Sequence, residues 1–171
     1  MVPIISVVGP SKADRTLLVE KLVAELTARG YKVATAKRDA HCYDLDTPGK
    51  ASWRHSQAGA QTVVVSSSKK VTVFKQVKEE RTLDELARDF FSDSDIVIAD
   101  GYTTEKKSKI KVLLSKAEED NQIPKNELFS VVTDAGEQNQ INGIPRFSSE
   151  EIAGLADLIE TKFLNKSSGR I

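Results

Sequence analysis

The octapeptide Gly9-Pro10-Ser11-Lys12-Ala13-Asp14-Arg15-Thr16 lies between an apolar run, Ile4 to Val8, and a helical pattern beginning at Leu17. Strand, tight loop and helix are the setting of a phosphate-binding P-loop, G-x-x-x-x-G-K-[ST]. Gly9 and Thr16 hold the first and last places, but Asp14 replaces the second glycine and Arg15 the lysine. Backbone N–H groups from Gly9 to Thr16 would face an anion, Thr16 would reach a magnesium ion, and Arg15 would meet phosphate oxygens. Asp14 works against this. A like-charge contact at about 4 Å costs about 4 kcal/mol at an effective dielectric of about 20, unless Lys12 or Arg15 neutralises it. A plain strand–helix connection explains the loop, taken alone, about as well.

Other residues of chemical interest are more dispersed. Asp100-Gly101 ends the hydrophobic run Asp95 to Ala99, where a Walker B-like acid would position magnesium through water, although acidic residues end many strands. Asp39, His41, Cys42, Asp44 and Asp46 crowd the polar stretch from Arg38 to Gly49, in a spacing that matches no zinc pattern. Asp134 follows Val131-Val132-Thr133. Trp53 reads as a core or interface residue, and the run Lys106, Lys107, Lys109, Lys111 as a solvated edge.

The elements that must position these groups follow from periodicity. Residues 3–8 and 32–37 read as strands flanking an amphipathic helix over Thr16 to Arg29, with Val19, Leu22, Val23 and Leu26 inward and Gly30 as its stop. That is a βαβ unit with a right-handed crossover. A short helix over Lys50 to Ala60 and two strands, Thr62 to Ser66 and Val71 to Phe74, come next. A capping box at Thr82 opens a helix carrying Leu83, Leu86, Ala87 and Phe90. Strands at 95–101, 110–114 and 128–133 precede a second capping box, Ser148 to Glu151, and a last helix. The pattern predicts a three-layer α/β domain with a mainly parallel sheet, Thr62–Phe74 supplying an antiparallel edge. One domain over residues 1–165 and a polar tail at 166–171 are expected.

Acidic and basic residues balance at 25 each, so no global field favours nucleic acid or an anionic membrane. No apolar window is long enough to span a bilayer, no signal peptide is evident, and a lone Cys42 suits a reducing cytoplasm.

From Lys37-Arg38-Asp39-Ala40-His41, through Asp46-Thr47-Pro48-Gly49-Lys50-Ala51-Ser52-Trp53-Arg54, to Ala58-Gly59-Ala60, the chain resembles the molybdopterin-guanine dinucleotide biosynthesis protein B (MobB) family. That family runs K-H-D-x-H, D-x-P-G-K-D-S-x-R and A-G-A. Pro3 to Gly9, Ala99 to Tyr102, Val131 to Asp134 and Ile144 to Phe147 fit as well, so the resemblance covers nearly the whole chain in order. It implies a P-loop NTPase-like fold and a homodimer that binds GTP with magnesium, hydrolyses it weakly at most, and assists the molybdopterin guanylyltransferase, with molybdopterin as a further ligand. By position, Gly9 to Thr16 would cradle phosphates, Thr16, Asp39 and Asp100 would face the metal, and Asp134 would meet the guanine base. Lys37, His41, Asp46, Pro48, Gly49, Lys50, Ser52 and Arg54 form the family-motif loop. This chain departs from the family at Asp14, Arg15, Arg38 and Ala51. Two rival readings follow: a nucleotide-independent dimeric adaptor on a degenerate P-loop scaffold, and an active small NTPase using Arg15 in place of lysine. The Val71–Val77 stretch is the expected dimer contact, through an edge strand.

Overall fold

The computed structural model describes residues 1–38, 45–114, 123–135, 140–141 and 143–164. The tail expected at 166–171 lies outside them. The chain divides into two compact units, Met1–Arg38 with Thr82–Ile171, and Asp39–Arg81.

The first unit holds a seven-stranded sheet in the order β2-β5-β1-β6-β7-β9-β8. Its strands are β1 (Ile4–Val8), β2 (Val33–Lys37), β5 (Ile96–Asp100), β6 (Ser108–Val112), β7 (Leu128–Val132), β8 (Gln140–Ile141) and β9 (Ile144–Phe147). All are parallel except β8, the antiparallel edge beside β9. β9 escaped the sequence reading because Gly143-Ile144-Pro145 looks like a turn; here it continues the ladder through Arg146 and Phe147 on β7.

Helices α1 (Lys12–Ala28) and α4 (Ile152–Ile159) cover one face. There Ile5, Val7, Ile96, Ile98, Ile110 and Val112 of the strands pack with Leu18, Leu22 and Leu26 of α1 and Leu155 and Ile159 of α4. Leu83 and Ala87 of α3 (Leu83–Phe90) and Tyr102 pack with Ile4, Val97 and Ala99 in a separate cluster, the other face by strand alternation. The three-layer α/β arrangement is as expected.

Three expectations change in detail. Helix α1 starts at Lys12, four to five residues before the predicted start, because Ser11 is its N-cap and accepts from the Asp14 N–H at 3.2 Å. The tetrapeptide Ser11 to Asp14 is itself an [ST]-x-x-[DE] start signal, with Asp14 in the first turn where a carboxylate complements the helix dipole. At the other end Gly30 and Tyr31 donate to the carbonyls of Thr27 and Leu26, the Schellman closure expected there. The box at Ser148 is only half formed. The Glu151 carboxylate accepts from the Ser148 N–H at 2.7 Å, while α4 begins at Ile152 with Glu151 as its N-cap residue.

The third change concerns the lysine run. β6 begins at Ser108, two residues before its predicted start, and Lys109 and Lys111 are buried. Lys109 has no exposed surface; its Nζ meets the Glu127 carboxylate at 2.5 Å and donates to the Glu105 carbonyl at 2.5 Å. The ion pair together with the carbonyl acceptors makes such burial tolerable.

In the second unit, β3 (Thr62–Ser66) and β4 (Val71–Lys75) form their own two-stranded antiparallel sheet, so the predicted hairpin exists as a separate sheet. Val63 of β3 is buried and α2 (Ala51–Gln57) packs against that strand.

Candidate functional site

The carboxyl ends of β1, β2 and β5 bring four predicted residues together. In β5, Ile96 and Ile98 point toward α1, and the period of two sets Asp100 on the same face. In α1, Arg15 lies on the stripe of Leu18, Leu22 and Leu26, at helical spacing, so its guanidinium is aimed at the sheet. Register pairs Lys37 of β2 with Asp100.

The resulting contacts are short. Arg15 Nε donates to Asp100 Oδ1 at 3.0 Å and Arg15 Nη1 to the Gly9 carbonyl at 2.5 Å. Lys37 Nζ stands 3.4 Å from Asp100 Oδ2 and donates to Thr16 Oγ1 at 3.4 Å; Thr16 Oγ1 in turn is 3.5 Å from Asp100 Oδ2. The Asp100 side chain is 7% exposed, against 48% for Lys37. Gly9 is needed for a steric reason: a Cβ there would collide with the Val112 carbonyl at the end of β6. The amides read as anion donors are partly committed within α1, since Asp14 N–H serves Ser11 Oγ and Arg15 N–H the Ser11 carbonyl at 3.2 Å. Pro10, Ser11, Lys12 and Ala13 therefore form the turn into the helix and its opening residues.

Asp134 follows β7, two strands from β1 on the same edge. Its two carboxylate oxygens accept from the N–H and Oγ of Ser149, at 2.7 and 2.9 Å. Asp39, His41, Cys42 and Asp44 lie outside the described residues.

The remaining family-motif residues belong to the second unit and explain its local shape. Buried Asp46 accepts from Thr47 N–H at 2.8 Å and Ser52 Oγ at 3.1 Å. Between them Pro48 and Gly49 occupy the central places of a turn closed by Lys50 N–H on the Thr47 carbonyl; Gly49 has φ +87°, as a type II turn requires. Ala58-Gly59-Ala60 ends α2, with Gly59 at φ +106° and the amides of Gly59 and Ala60 on the carbonyls of Ser56 and His55. Lys50 and Arg54 are exposed. A cavity of about 420 Å³ is lined by Leu45, Asp46, Trp53 and residues 73–76, among others.

Sequence reasoning missed Lys37 as a partner of Asp100. The signal was available: β2 and β5 end together in a parallel pair, so their last inward residues must meet.

A central β1, its turn into α1 and an acidic residue closing the neighbouring β5 define the P-loop-like α/β class. Within that class, the family profile of molybdopterin guanine dinucleotide synthesis protein B matches residues 4–134, and the chain belongs to that family. Among its relatives is the molybdopterin-guanine dinucleotide biosynthesis adapter protein of Haemophilus influenzae, 32% identical over 124 residues, which span 72% of this chain and 68% of the relative. The Escherichia coli protein of the same name is 30% identical over 113 residues, 64% of this chain and 65% of its own length. A crystal structure of molybdopterin-guanine biosynthesis protein B is 28% identical and superposes with a TM-score of 0.73 over 92% of this chain and 97% of its own. Bacillus subtilis MobB, at 20% identity, shares the fold with a TM-score of 0.75 over 94% and 98%.

Proposed function

We propose that this chain is a cytoplasmic adapter in molybdopterin guanine dinucleotide synthesis that works as a homodimer on the molybdopterin guanylyltransferase. In this reading it holds GTP, or the phosphate of molybdopterin, at Gly9 to Thr16. The observation that carries the phosphate reading is the convergence of Arg15, Thr16 and Lys37 at the carboxyl edge of the sheet. Binding of the guanine base at Asp134 requires release of Ser149. Magnesium at Thr16, Asp39 and Asp100, the metal set that the resemblance implies, requires Arg15 and Lys37 to leave Asp100. GTP hydrolysis is weak at most, because the compact P-loop lysine that stabilises charge on the β- and γ-phosphates is replaced.

A second reading is a nucleotide-independent dimeric adaptor. It is favoured by the two N–H groups of the first turn of α1 that bond to Ser11. The outward face of the β3–β4 hairpin, where Val64, Val71 and Val73 are exposed, supports the homodimer in both readings.

Equilibrium binding of GTP, GDP and ATP, read as thermal stabilisation, separates the two. A ligand at a hundred times its Kd should stabilise the chain by about 2.7 kcal/mol. No shift with any of the three at millimolar concentration leaves the nucleotide-independent adaptor. Failure to co-elute with the guanylyltransferase, with or without nucleotide, overturns both.

A further inference from the structure

We infer that Asp100 is the counter-ion of a two-cation cluster and not a magnesium ligand, so that phosphate binding at this site is independent of divalent metal. The inference deepens the phosphate-binding reading above and rests on it for the ligand, but the statement about the metal stands on geometry alone.

A P-loop metal site needs oxygen atoms left open to the ion, here the Thr16 hydroxyl and, through water, the Asp100 carboxylate. Both are already engaged. One Asp100 oxygen takes Arg15 Nε at 3.0 Å, the other faces Lys37 Nζ at 3.4 Å, and Thr16 Oγ1 accepts from the same Nζ at 3.4 Å. A divalent cation entering between them would meet two positive charges at close range, and that of Arg15, beside the buried Asp100, is the less screened by solvent. Among the described residues, no cluster of three or more His, Cys, Asp or Glu side chains offers an alternative. Thr16 and Asp100, as they are placed among the described residues, do not fit the metal.

The two-cation cluster fits a phosphate without it. Arg15 and Lys37 against Asp100 leave one net positive charge among these three side chains. Arg15 spends Nε on Asp100 and Nη1 on Gly9, and its Nη2 has no hydrogen-bond partner among the described residues. The Lys37 ammonium remains half exposed. Both donors can therefore meet a phosphate while Asp100 holds them in place, the neutralising part that magnesium plays elsewhere.

The test uses the full chain and two probes. Titration with Mn²⁺, with free metal read by electron paramagnetic resonance, should reveal no saturable site below about 1 mM that the Asp100→Asn substitution removes. The double variant Arg15→Gln/Lys37→Gln keeps Asp100 but lifts the cations, and should bind Mn²⁺ at least tenfold more tightly than wild type. GDP should bind with affinity equal within about twofold in EDTA and in excess magnesium, a difference of about 0.4 kcal/mol. An Mn²⁺ site in wild type that is lost in Asp100→Asn overturns the inference, as does equal Mn²⁺ affinity in wild type and the double variant. A tenfold gain in GDP affinity from magnesium overturns it as well. If GDP binds in neither buffer the phosphate reading fails, and the Mn²⁺ titrations alone decide the statement about Asp100.

Discussion

Replacing Glu127 by alanine tests the buried lysine in the strand beside β1. Lys109 has no exposed surface and its ammonium meets three acceptors: the Glu127 carboxylate at 2.5 Å and the carbonyls of Glu105 at 2.5 Å and Lys107 at 3.4 Å. Losing one partner of a buried pair strands a charge, which costs about 3–5 kcal/mol. The two carbonyls remain as partial compensation, so the lower end of that range, about 3 kcal/mol, applies. For a chain of this size, each kcal/mol lowers the melting temperature by about 2–4 °C, giving a fall of about 6–12 °C. Urea and thermal unfolding followed by circular dichroism would measure it. The double variant Lys109→Met/Glu127→Leu removes charge and counter-charge together and should lie within about 1 kcal/mol of wild type. The reasoning is refuted if Glu127→Ala loses less than about 0.5 kcal/mol, or if the double variant is as unstable as the single.

Three further outcomes are expected. Gly9→Ala forces a methyl group into the Val112 carbonyl and should destabilise the chain by about 1–3 kcal/mol in urea unfolding, while Gly143→Ala, also at positive φ (+79°) but with open space around it, measures backbone strain alone, so the excess loss at Gly9 is the contact. Hydrogen bonds from the backbone and side chain of Ser148 hold the Glu151 carboxyl below its usual pKa. A group depressed on folding adds stability above its unfolded pKa of about 4.3, and that stability is lost as pH falls through the lower folded value; a Glu151→Gln variant should show a smaller drop in melting temperature between about pH 5 and pH 2.5. Val73→Asp, on the exposed face of the hairpin, should shift a dimer toward monomer in sedimentation with the circular dichroism spectrum unchanged; an unaltered dimer mass would exclude this face as the contact.

The sequence determined most of the architecture because its signals are local. The hydrophobic run of β5, Leu22 and Leu26 of α1 and the glycine stops at Gly30 and Gly59 each depend on neighbours a few residues away and appear where the sequence puts them, whereas α1 buries Leu18 and leaves Val19 and Val23, expected inward, only part-buried. Asp46, Pro48, Gly49 and Ser52 were legible only as a family motif; their shared reason, a turn pinned by one buried carboxylate, needed coordinates. Asp14 looked like a charge obstructing a phosphate cradle, whereas its own spacing from Ser11 marks it as a first-turn acid of a helix that starts early.

What the tertiary structure alone decided is the partnership of distant residues. Arg15 and Asp100 are 85 positions apart, Lys109 of β6 and Glu127 in the turn before β7 are 18 apart, and no local pattern says which cation meets which carboxylate. Parity fixes the face to which a side chain points, but strand order fixes what stands opposite it. Because β5 lies between β1 and β2, Asp100 receives both Arg15 and Lys37, and the acid that its sequence position marks as a metal ligand becomes the centre of an ion-pair cluster.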